Sequence, residues 1–128
     1  MTITEIKKEF YSEFGTIADK FTIIEEYLVN LSTSEKEHIY NPGVYVFWLE
    51  DNVIKVGRHL TNSRKRALEH IKDNTANREL QMASLKENTK VKVLLFNLKN
   101  IEDYHWSASA EMFLEKKLNP IIKSKRQG

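Results

Sequence analysis

An α/β fold of the α+β kind, a small antiparallel sheet of three strands flanked by helices, is what this 128-residue chain predicts. Three observations carry that prediction. Gly43 to Leu49 (GVYVFWL) places aromatic and β-branched side chains on both faces, as in a strand covered on both sides. Val53 to Gly57 repeats the pattern after the polar break Glu50-Asp51-Asn52, so the two runs read as a hairpin. Lys90 to Leu98 (KVKVLLFNL) alternates as a third strand does, and helical spacings lie around all three.

In chain order, Thr4 to Phe14 carries Ile6, Phe10 and Phe14 on one helical stripe. A second helix is predicted from about Ile17 to Leu31, because Phe21, Ile24, Leu28 and Leu31 recur at helical intervals with Glu25 and Glu26 on the flank. Asn41-Pro42-Gly43 punctuates the entry to the first strand. After Gly57, one of Thr61, Asn62 and Ser63 caps a helix that turns Ala67, Leu68 and Ile71 inward and sets Arg66 and His70 one turn apart. Residues 73–77 are expected to form a loop and 78–87 a short helix. The last helix runs from about Asp103 or Ser107 to Lys117 and stops near Asn119-Pro120, and the basic tail KSKRQG is expected to fray.

The hairpin register decides which side chains share a face. A three-residue loop, Glu50 to Asn52, pairs Leu49 with Val53 and Tyr45 with Gly57, leaving Tyr45 diagonal to Lys55. A two-residue Asp51-Asn52 turn would separate Tyr45 and Lys55 onto opposite faces.

The length suits one ordinary domain, divided here into an acidic N-terminal helical extension (1–42) packed on a core (43–128). Residues 1–42 hold four lysines against eight acids, and residues 43–128 hold sixteen Lys and Arg against ten. The basic part would attract a polyanion. There are no cysteines, which removes disulfides, thiolate zinc sites and cysteine nucleophiles and suits a reducing compartment. No run approaches the ~20 apolar residues of a membrane span, and no signal-type segment opens the chain, so a soluble, cytoplasmic protein without a membrane partner is expected.

Gly43-Val44-Tyr45, then Lys55-Val56-Gly57, then Arg66 and His70 four apart on a helix, resemble the core of the GIY-YIG nucleases. The resemblance covers roughly the last two thirds of the chain. Lys55 stands where the family's second tyrosine is usual, as it does in some restriction-type members. Glu111 to Pro120 (EMFLEKKLNP) is similar to the family's metal-binding helix, in which a glutamate precedes a proline by nine residues. Glu111 also falls on or beside the apolar stripe of Leu114 and Leu118. Lys123 takes the position of an asparagine common in the family.

The resemblance implies hydrolysis of a phosphodiester in DNA, with RNA as the other candidate substrate. Tyr45 would be the general base, and Lys55 the cation that lowers its pKa. Arg66 would clamp the phosphate, with Arg58 and His70 supporting the phosphate or the nucleophile. Glu111 would hold one hard cation, Mg²⁺ or Mn²⁺. A homodimer could cut both strands.

Plainer readings stand beside these. Tyr45 could be a core tyrosine, Lys55 a snorkelling strand residue, Arg66 a solvated helix charge and Glu111 a fringe residue of its stripe. His38, His59, His70 and His105 lack the paired spacing of a zinc site. Tyr104 and Trp106 could stack on bases, though core or lid positions are the commoner use. The alternatives to a nuclease are a non-catalytic nucleic-acid-binding module on the same fold and a protein-interaction domain.

Overall fold

The computed structural model describes residues 1–72, 85 and 88–123, apart from the side chains of Ser63, His70, Ile71 and Lys72. The loop expected at 73–77 and, except for Leu85, the helix expected at 78–87 lie outside these residues, as does the tail from 124.

Helix α1 (Ile3–Phe14) begins at Thr2, whose hydroxyl accepts from the Glu5 amide while the Glu5 carboxylate accepts from the Thr2 amide. It buries Ile6 and Phe10. Strands β1 (Phe21–Tyr27), β2 (Gly43–Leu49), β3 (Asn52–His59) and β4 (Lys92–Leu98) form one antiparallel sheet in the order β1-β4-β2-β3. Helix α2 (Ser63–Lys72) follows β3, and helix α3 (Trp106–Leu118) follows β4. The Asn62 side chain caps α2 by accepting from the Lys65 amide, 3.0 Å.

The sheet thus has four strands where the sequence predicted three. The extra strand is β1, formed where a helix was expected from Ile17 to Leu31, between 3₁₀ turns at Gly15–Lys20 and Leu28–Thr33. The apolar residues that suggested one helical stripe serve both faces of the sheet: Phe21 packs on one side, and Ile24, Leu28 and Leu31 on the other. Pairing along β4, from Phe21 opposite Leu98 to Tyr27 opposite Lys92, overrides that local spacing, and the β-branched run Thr22-Ile23-Ile24 suits it.

One face of the sheet carries Val44, Val46, Val56, Leu94 and Phe96 against α1 and α3. The other carries Tyr45, Phe47, Val93 and Leu95 against Ala67 of α2. At Gly43 a side chain would collide with Asn97 and the Phe96 carbonyl, so glycine lets β2 and β4 meet there. Among the described residues, no helix is long and apolar enough to cross a membrane.

Candidate functional site

The hairpin reaches the expected Tyr45–Gly57 pairing by another route. Its loop is Glu50-Asp51, both at positive φ (48° and 64°), so Leu49 pairs with Asn52. Continued unbroken, that register would place Lys55 on the face opposite Tyr45. A bulge between the pairs Trp48–Val53 and Phe47–Lys55 leaves Ile54 extra on β3 and restores Tyr45 opposite Gly57. Lys55 is thereby returned to the Tyr45 face, roughly 7 Å away along the diagonal.

The segment after α3 seals the bulge. Ile121 and Ile122 donate their amides to the carbonyls of Val53 (3.0 Å) and Ile54 (2.8 Å). The chain reaches them through Asn119 in the left-handed conformation, φ 48°, and Pro120. Lys123, at the position the resemblance gives to asparagine, is exposed and bonds the Asn119 side chain.

Tyr45 is 2% exposed and Lys55 6%. The Tyr45 ring lies across Gly57, where an added Cβ would overlap its hydroxyl. Arg66, from α2, interacts electrostatically with Tyr45 and donates to the Glu69 carboxylate at 3.0 Å. The bond to Glu69 foremost, and Tyr45 after it, hold the guanidinium above its ordinary value against the opposing effect of burial. The same bond holds the Glu69 carboxyl below its usual range.

Arg58 and Glu111 belong to the other face, where Arg58 pairs with Val44. Arg58 Nη1 donates to Glu111 Oε1 at 2.9 Å, and the Glu111 side chain is 5% exposed against 24% for Arg58. The candidate residues therefore form two sets. Tyr45, Lys55 and Arg66 share the α2 face, and Arg58 and Glu111 join β3 to α3. The two sets lie on opposite faces of the sheet and come nearest in the chain at Gly57-Arg58 of the edge strand β3. His70 lies within α2, and its side chain is outside the described residues.

Two residues beside the site, His59 and Glu69, were given no site role from the sequence. His59 Nδ1 accepts from the amides of Thr61 (3.1 Å) and Asn62 (2.8 Å) and from the Thr61 hydroxyl (2.8 Å), which places the ring proton of the neutral form on Nε2. No spacing rule marks such a turn. Glu69 was legible as an i, i+3 partner of Arg66. Of the aromatics considered for stacking, Tyr104 is 49% exposed and Trp106 packs against the α1/α3 core.

Among the described residues no group of three or more His, Asp or Glu converges as a metal cage. Of the site residues expected from the sequence, Glu111 is the one carboxylate, whose hard oxygens suit Mg²⁺ or Mn²⁺ with water and phosphate as the remaining ligands, and one of its oxygens is engaged by Arg58. Family models, characterised proteins and solved structures provide no match to this chain.

Proposed function

We propose that this chain is a metal-dependent endonuclease of the GIY-YIG type that hydrolyses phosphodiester bonds in DNA. The observation that carries the reading is the convergence on one sheet face of a phenol, an ammonium and a guanidinium, achieved through the bulge at Ile54. A hairpin whose only task was packing has little use for a buried lysine beside a buried tyrosine.

A phenol ordinarily loses its proton near pH 10, and the cations Lys55 and Arg66 favour the phenolate. Tyr45 then takes a proton from water as the water oxygen bonds to phosphorus. Arg66 and Arg58 offer planar N–H forks to the non-bridging oxygens, whose charge grows in the transition state. The phosphorus–oxygen bond to the leaving strand breaks, and its oxygen acquires a proton from solvent. Mg²⁺ or Mn²⁺ held by Glu111 would supply charge neutralisation at that leaving oxygen.

A cleavage assay on supercoiled plasmid, single-stranded DNA and RNA tests the reading, with Mg²⁺ or Mn²⁺, with EDTA and with the Glu111→Gln variant. The proposal expects DNA cleavage by the wild type that is lost in EDTA and in the variant. The hold of Arg58 on Glu111 favours a second reading, a nucleic-acid-binding module without chemistry. Binding that weakens with salt, with no cleavage of any substrate, would select it.

A further inference from the structure

Buried carboxylates need a compensating charge, and Glu111 has one in Arg58. That arrangement conflicts with metal binding as it stands. A hard cation bonds a carboxylate oxygen at about 2.0–2.1 Å, and a guanidinium donating to the same oxygen would bring like charges together. Among the described residues Glu111 belongs to no group of three or more potential ligands that would hold a cation against that repulsion. The remaining ligands would be water and the substrate's own phosphate. Arg58 meanwhile has five N–H donors, is the more exposed partner, and follows Gly57 on the edge strand next to the Tyr45 set.

From these facts, and resting on the nuclease reading, we infer that Arg58 is a displaceable guard on Glu111. In the ligand-free protein it neutralises the carboxylate and keeps the cation off. When a phosphate arrives, the guanidinium transfers its donors to the phosphate oxygens, and Glu111 becomes available to a cation that the same phosphate helps to ligate. Cation and nucleic acid then bind cooperatively, each raising the affinity for the other by the same factor. The consequence is a nuclease that takes up its metal with its substrate.

The test is a Mn²⁺ titration followed by electron paramagnetic resonance, which reads occupancy without turnover. Wild type, Arg58→Gln, Arg58→Lys and Glu111→Gln are compared with and without thymidine 3′,5′-bisphosphate, an uncleavable phosphate probe. The inference expects Arg58→Gln alone to bind Mn²⁺ about tenfold more tightly than wild type, the scale of ordinary site coupling. Arg58→Lys, which keeps the cation, stays as weak as wild type. The bisphosphate raises wild-type affinity about tenfold more than it raises that of Arg58→Gln, and Glu111→Gln reports chelation by the nucleotide alone. Should Arg58→Gln fail to fold, the enhancement in wild type over Glu111→Gln decides.

Equal Mn²⁺ affinity in wild type and Arg58→Gln, both above Glu111→Gln, would overturn the guard and leave Glu111 as the metal ligand. Occupancy indifferent to Glu111 under every condition would overturn the guard together with the metal assignment it rests on.

Discussion

Gly57 is the residue on which the geometry around Tyr45 depends, since one methyl group there would occupy the space of the Tyr45 hydroxyl. Gly57→Ala is expected to cost about 1–3 kcal/mol by overpacking, read as a lower urea midpoint, and to displace the ring from Arg66. The Arg58–Glu111 pair makes a different prediction. Arg58→Ala removes a compensating charge from a buried carboxylate and should cost about 3 kcal/mol, whereas Arg58→Met with Glu111→Leu should be close to neutral in the same unfolding measurement. Equal losses in both variants would contradict a pair whose main energetic role is mutual compensation. The Tyr45–Gly57 pairing was reached from an assumed three-residue loop, which the two-residue loop and the bulge at Ile54 together equal in register. The Arg58–Glu111 bond was not legible, because it depends on how α3 docks across β3, 53 residues away in sequence.

Among the elements, the β2–β3 hairpin combines a tight turn with a bulge. Glu50 and Asp51 both adopt positive φ, which asparagine and glycine reach at less cost. Glu50→Asn with Asp51→Gly is therefore expected to stabilise the protein by about 1 kcal/mol in urea unfolding, and a loss would show that this turn geometry is wrong. The sequence-based three-residue loop predicted the correct Tyr45 partner because one extra residue in the loop and one extra residue in the bulge shift the register equally. A bulge has no composition signal of its own here. β1 was misread for a related reason, since its partner β4 lies about seventy positions on and short-range spacing carries no record of it.

The β1–β4 pair is also clamped electrostatically, with Glu25 accepting from Lys92 at 3.0 Å and from Lys7 at 3.4 Å. Burial opposes the Glu25 charge, but the bonds from Lys92 and Lys7 prevail and hold its carboxyl below its ordinary value of 4.5. The Lys92 ammonium is held above 10.5 by the bond to Glu25. A lowered folded value means that the Glu25 contribution is present above pH 4.5 and is lost as the pH falls through that lowered value. A raised one means that the Lys92 contribution is present below pH 10.5 and is lost as the pH rises through the raised value. Glu25→Gln should flatten the acid side of the stability profile measured by urea unfolding at successive pH values. An unchanged slope would remove Glu25 from the account.

For the whole molecule, charge and topology point the same way. Residues 1–42 carry a net charge of −4, and the excess of bases over acids in residues 43–128 comes from α2 and from the positions after α3, the hairpin and α3 each being balanced. If Arg58, Arg64, Lys65 and Arg66 face phosphates, log affinity for DNA should fall against log salt with a slope of roughly −3 to −4, at about −0.9 per phosphate neutralised. A flat salt profile would set the basic face aside as a nucleic-acid surface. The measurement closest to the central claim is single-turnover cleavage of an end-labelled duplex by the wild type and Tyr45→Phe, with binding of the same duplex measured beside it. The account predicts that the variant binds as the wild type does and loses at least about a hundredfold in rate, the lower end of what a general base contributes. Unaltered cleavage by Tyr45→Phe would contradict it.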